Sequence, residues 1–249
     1  MKYQMIGERL LRRGRAPITK PCAPKYRPSM IDADLHLIHA KTCVVAFASG
    51  GGDFSEGVPH FEFGRSLEAM GVAYVLLRDS TGFSCQYGID GIGPRAAVVA
   101  YLKILIMSYP RVMLIGLSVG ALTALMYGQL ISEGPLGSTM RVYDPEIIAM
   151  SPYTSLGDNP NAVFGEGWET RCPFPTDVPM LINLQPIFPN GPIPRVRAFI
   201  SDGDGTSEDR HHAERIGITD ITLVPGASHS GLGKLMRDNG MLRQLIIGE

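Results

Sequence analysis

Ser118 is set among neighbours that suit a nucleophile. It lies in Gly116-Leu117-Ser118-Val119-Gly120, a G-x-S-x-G pattern. Before it, Val112 to Ile115 are all apolar, as in a strand covered on both faces. Behind it, Ala121 to Leu130 are mostly small or strongly helix-forming. The pattern predicts a buried strand, a tight turn and a buried helix. A serine on such a turn sits in a strained backbone conformation, and glycines two before and two after remove side chains that would clash. The hydroxyl is then raised above the sheet, at the positive end of the helix. Without chemistry the same pattern is a close-packed strand-helix turn, so the rest of the chain must decide.

Other groups with chemical potential lie at the ends of predicted strands. Lys41 to Ala48 reads as a strand and runs into Ser49-Gly50-Gly51-Gly52-Asp53. Val72 to Leu77 is the next buried strand, after a helical stretch from His60 to Met70. A glycine-rich loop, Gly82 to Gly93, leads to Pro94 at the first turn of a helix ending near Ser108. After the Ser118 turn, Ile147 to Met150 is a strand. Val196 to Ile200 is another, delivering Asp202-Gly203-Asp204 ahead of a helix over Glu208 to Ile216. Ile221 to Val224 delivers Pro225-Gly-Ala-Ser-His229 ahead of a single terminal helix, Gly231 to Ile247. Alternating strands and helices predict a mostly parallel sheet covered on both faces, with its site at the carboxyl ends of the strands. There a serine, an acid and a histidine follow one another in that order.

Composition bounds the rest. The 249 residues suffice for one α/β domain with a sizeable core; 45% hydrophobic and 19% charged is ordinary for a globular chain. A formal net charge of −1 gives no general attraction to nucleic acid or membrane. Residues 1–33 form a basic extension broken by Pro17, Pro21, Pro24 and Pro28 and read as partly ordered, with a possible edge strand over Asp34 to His39 beyond it. No early apolar run resembles a signal peptide and none anywhere spans a bilayer. Cys22, Cys43, Cys85 and Cys172 lack C-x-x-C spacing and read as free thiols of a reducing cytoplasm. His36 and His39 are too isolated for a metal site, and His60, His211 and His212 read as solvated helix residues. Asp53 and Glu56 read as helix-entry acids. Residues 151–194 hold nine of the 19 prolines and the only tryptophan, Trp168, with no periodicity apart from a short run at Met180 to Leu184. Such an insertion is expected to be a lid or cap.

With the elbow at Ser118, His229 after the last strand and the order serine, acid, histidine, the chain resembles the α/β-hydrolase family from about Thr42 onward, the insertion excepted. The resemblance implies one α/β-hydrolase domain over residues 1–249, with the Pro-rich lid between the sixth and seventh family strands. It also implies a catalytic triad. His229 would accept the Ser118 proton, and an aspartate would fix the imidazole tautomer. The acid is Asp204 first, a few residues into its loop, then Asp202, an Asx-turn candidate, then Asp209, an acid at a helix start. Oxyanion donors are expected at the Val119 N–H and in the triple glycine, Gly50 or Gly51 foremost, with Gly52 beside them. Ser49-Gly50 stands where the family commonly has His-Gly, and the Asp-x-x-Val-Pro sequence around the acid is absent. The expected activity is hydrolysis of a small carboxylic ester or thioester through an acyl-enzyme, with no cofactor or metal. Acyl transfer on the same triad, or a non-catalytic binding protein on the same fold, are the alternatives. Trp168 is expected either to contact an apolar part of the substrate or to pack a small core of the insertion itself.

Overall fold

The computed structural model of the protein describes residues 4–5, 40–49, 63–77, 84–89, 91–132, 144–155, 161, 166–167, 169, 172, 180–188, 195–203 and 206–248. Seven strands make one sheet: β1 (Gln4–Met5), β2 (Thr42–Phe47), β3 (Ala73–Leu77), β6 (Arg111–Leu117), β7 (Glu146–Met150), β8 (Arg195–Ser201) and β9 (Ile221–Val224). Their spatial order is β1-β3-β2-β6-β7-β8-β9, and every pairing is parallel. β4 (Gly88–Ile89) and β5 (Gly93–Pro94) form a separate small antiparallel pair. The helices are α1 (Gly64–Met70), α2 (Arg95–Ser108), α3 (Val119–Ser132), α4 (Thr206–Arg215), α5 (Leu232–Asp238) and α6 (Met241–Ile247), with a 3₁₀ turn at Gln185–Ile187.

The apolar strand runs are buried because both sheet faces are covered. Side chains alternate across a strand, so each run splits between two cores. Cys43, Val45 and Phe47 of β2 join the core under α2, α3 and α4. Val44 and Ala46 join the opposite core, with Leu67 of α1, Met236 of α5 and Leu242 of α6. Each Val, Leu, Phe or Met among these contributes about 1.5–3 kcal/mol when fully buried. α3 is buried along most of its length, from Gly120 through Gly128, which fixes the helix behind Ser118 firmly to the sheet. Cys43 is a free thiol, and burial pushes its pKa up to about 12.

One expectation is corrected here. The terminal helix is two helices, because Gly240 takes a left-handed φ of 80° and the Asn239 side chain accepts a hydrogen bond from Met241 N. β1 arises inside the basic extension and pairs with β3 at the sheet edge. The start of the helix expected from His60 and the possible strand over Asp34–His39 lie outside the described residues. Of the insertion, residues 151–155 and 180–188 are joined by a bridge between Ser155 and Asn183 and a hydrogen bond from Leu184 N to Thr154 O.

At the amino ends of the strands, Glu146 receives hydrogen bonds from Arg111 (2.6 and 3.1 Å) and from Arg197. Arg111 also donates to the Ile246 and Leu245 carbonyls, tying the end of α6 to β6. Burial would raise the Glu146 carboxyl, but the two guanidinium groups outweigh it and hold it below its ordinary value of 4.5. A carboxylate held low in the fold gives stability that is complete above its ordinary value and lost as pH falls through the folded one. Glu146→Gln is expected to lower unfolding free energy by about 1–3 kcal/mol at neutral pH. In urea titrations the gap to wild type should narrow below pH 4.5; a gap that does not change with pH would contradict this.

Candidate active site

β6 ends at Leu117, and Ser118 turns the chain into α3 with φ of 57°. The turn is locked on both sides. Ser118 N donates to Met150 O at 2.9 Å, and Ser118 O accepts from Ala121 N and Leu122 N at 3.0 and 3.2 Å. A Cβ on Gly116 would stand 2.2 Å from the Gly120 backbone, and one on Gly120 would stand 2.5 Å from Phe47 O. Both glycines are therefore required by backbone approaching backbone. The second contact also sets the start of the loop after β2 against the start of α3.

His229 reaches Ser118 from the loop after β9. Gly226 (φ 76°) turns that loop, and its N–H donates to Asp202 Oδ1 at 2.7 Å. Ser228 holds the next turn, accepting from Gly231 N at its carbonyl (3.0 Å) and its Oγ (3.1 Å). His229 Nε2 then lies 3.0 Å from Ser118 Oγ. His229 Nδ1 lies 2.9 and 3.0 Å from the two carboxylate oxygens of Asp209. Asp209 is in the first turn of α4 and only 2% exposed, while the His229 side chain is 26% exposed. A carboxylate on Nδ1 requires the proton there, which leaves Nε2 free to accept the Ser118 proton.

Among the described residues, the carboxylate that meets His229 is Asp209, which the sequence ranked behind Asp204 and Asp202. Asp204 lies outside the described residues, and Asp202 braces the histidine loop by accepting from Gly226 N. The helix-start role given to Asp209 is real but incomplete. Asp209, Ala213 and Ile216 fall on one buried stripe, and a carboxylate on an apolar stripe needs a partner. Val119 N–H opens α3, where first-turn amides have no partner within the helix. Gly50, Gly51, Gly52 and Trp168 lie outside the described residues.

Two further residues adjoin the site, one of them misread in the sequence. Tyr153, in the loop after β7, has its ring centroid 5.2 Å from that of His229 and 5.3 Å from that of His212. His212, expected to be solvated, is half-buried. Its Nδ1 accepts from Thr154 N at 3.3 Å and lies 3.2 Å from Thr154 Oγ1, while that hydroxyl donates to His212 O at 2.8 Å. Burial lowers the His212 pKa, with His211 and Arg215 reinforcing and Glu208 and Asp209 opposing. Among the described residues, no group of three or more His, Cys, Asp and Glu side chains is placed to hold a metal ion. A cleft of about 870 Å³, lined by Tyr109, Glu146, Arg195 and Asp220 among others, opens at the opposite, amino ends of the strands.

No family model matches this sequence, and no curated protein is similar to it in sequence. Solved structures are similar in shape. Esterase B of Lactobacillus rhamnosis, in a crystal structure with a tributyrin phosphonate, shares 14% identity at a TM-score of 0.50, over 82% of this chain and 74% of that one. This is the α/β-hydrolase fold. Esterase 2 of Thermogutta terrifontis, phosphoramylated by tabun, gives 14% identity and a TM-score of 0.48 over 85% of each chain. Carboxyl esterase 2 of the fungus Tuber melanosporum gives 13% and 0.46, over 84% of this chain and 79% of that one. Among the described residues of this α/β-hydrolase fold, no helix is long and apolar enough to cross a membrane.

The packing at the elbow predicts the cost of filling it. Gly116→Ala and Gly120→Ala should each destabilise by about 1–3 kcal/mol or more, the usual cost of overpacking. Thermal unfolding of the purified variants checks this, and wild-type midpoints for both would contradict the backbone contacts.

Proposed function

We propose that the protein is a serine hydrolase that cleaves a carboxylic ester or thioester through an acyl-enzyme on Ser118. The observation that carries the reading is the unbroken contact from Asp209 through His229 to Ser118 Oγ. In this reading His229 Nε2 takes the Ser118 proton as Oγ bonds to the substrate carbonyl carbon, and the carbonyl electron pair moves onto oxygen. Collapse of that intermediate expels the alcohol or thiol, which leaves with the proton from Nε2. Water then repeats the sequence, and Ser118 is released free as the acid departs. Asp209 holds the ring and stabilises the imidazolium formed in each half.

The oxyanion would be held by Val119 N–H and by Gly50 or Gly51. The close approach of Gly120 to Phe47 O and Ala48 supports this, because it starts the glycine loop beside the elbow. Ester rather than amide chemistry is favoured by the likeness to esterase B, whose crystal structure holds a tributyrin phosphonate. The tied ends of the insertion, beside Tyr153, support its role as a lid over the carboxyl ends of the strands. Trp168 is then a candidate for contact with the substrate's apolar part, or for packing within that lid.

The test is a panel of p-nitrophenyl esters and acyl thioesters run on wild type and variants. Ser118→Ala should abolish turnover. Asp209→Asn should leave the fold intact and lower kcat by up to about 10⁴-fold, the scale seen when a triad carboxylate becomes an amide. Asp204→Asn should cost far less. Hydrolysis undiminished in Ser118→Ala, or a collapse with Asp204→Asn but not Asp209→Asn, would overturn the assignment.

A further inference from the structure

Tyr153 does not touch Ser118 by any hydrogen bond in the chain of proton transfer, yet the fold holds its ring against the base. It follows β7 directly, in Ser151-Pro152-Tyr153-Thr154, and is neither fully buried nor fully exposed. Its ring meets two imidazoles. The planes of Tyr153 and His229 are tilted by 49° with centroids 5.2 Å apart, while His212 meets Tyr153 edge-on, at 75° and 5.3 Å. The next residue fixes it there. Thr154 is fully buried, and its N–H and hydroxyl are both engaged by His212 on α4, the helix that also carries Asp209. One helix therefore supplies the acid to one edge of His229 and anchors the aromatic ring lying against it.

We propose that Tyr153 is a positioning residue, whose ring holds the His229 imidazole in line between Asp209 and Ser118 and stabilises the imidazolium that forms when Ser118 gives up its proton. The proposal rests on the acyl-enzyme reading for its catalytic meaning, but the ring contact can be tested without turnover. The hydrogen bond to Asp209 fixes one edge of His229 and still permits the ring to rock about it, since the side chain is 26% exposed. A cation over the face of an aromatic ring, within about 6 Å of its centroid, is attracted through the ring's quadrupole. The charged and titratable groups about the pair are Asp209 and Glu208 on α4, His212 on the same helix, and Ser118 at the elbow. The acids also favour the imidazolium, so the tyrosine's share must be measured against them by changing the ring alone.

The experiment follows His229 by NMR titration of its imidazole proton in the full-length protein, with Ser118→Ala as the assignment control. Tyr153→Phe keeps the ring and should titrate as wild type. Tyr153→Leu should lower the His229 midpoint by about half a pH unit, the shift equivalent to that attraction. Pentafluorophenylalanine at position 153 keeps the shape, reverses the quadrupole and should lower it at least as far, which covers the case of a leucine variant that does not fold. On the best ester, Tyr153→Leu should reduce kcat with KM unchanged, and Tyr153→Phe should restore it. A midpoint equal to wild type in the leucine and pentafluoro variants would overturn the proposal, as would a phenylalanine variant that behaves like leucine. Shifted midpoints in a protein that turns over no ester would support the ring contact and count against the acyl-enzyme reading instead.

Discussion

The geometry of the site depends on one backbone constraint: a non-glycine residue held at a left-handed φ of 57° between β6 and α3. Such a conformation costs of order 1–3 kcal/mol and persists only where the surroundings over-determine it. Here they do so from both sides. Met150 O on the neighbouring strand accepts the Ser118 amide, and the α3 amides of Ala121 and Leu122 return to its carbonyl. Gly116 and Gly120 let β6, α3 and the end of β2 approach more closely than any side chain would permit. The burial of α3 against the sheet supplies the rigidity against which the strain is held.

Once the serine is fixed, the other groups arrive from the carboxyl ends of the strands on one side of it, as parallel order requires. β7 delivers Tyr153, the turn after β8 leads into α4 with Asp209, and β9 delivers His229. Cross-braces between these loops are polar and local: Asp202 to Gly226 N, and Thr154 to His212. The opposite pole of the sheet carries a different task. There Glu146 binds Arg111 and Arg197, and Arg111 reaches over to close α6 onto the sheet. The charged groups of that pole stabilise the frame, while those at the carboxyl ends converge on the Ser118 hydroxyl.

The frame was legible because burial on both faces writes itself as apolar runs. β2, β3, β6, β7, β8 and β9 lie within a residue or two of their expected positions. The elbow and the histidine loop were legible for a different reason, since glycine spacing reports backbone crowding directly. The acid was harder. A carboxylate near a helix start fits the helix dipole, and that local explanation hid the more telling fact that Asp209 shares its buried stripe with Ala213 and Ile216. β1 and the placement of Tyr153 turn on pairing or packing between distant segments, which no local period encodes. Two consecutive left-handed residues, Ser84 and Cys85, belong with these. They are held by Thr123 and Tyr127 donating to their carbonyls from α3.

In the proposed reaction Asp209 and His229 make Ser118, and no other residue, the point of covalent attack. Rapid mixing with an activated ester, followed by acid quench and intact-protein mass spectrometry, tests it most directly. The expected result is a burst of leaving group approaching one per chain, a mass increase of one acyl group, and that group on the peptide bearing Ser118. Leaving-group release without any adduct under conditions that trap a fast intermediate, or an adduct on another residue, would contradict it.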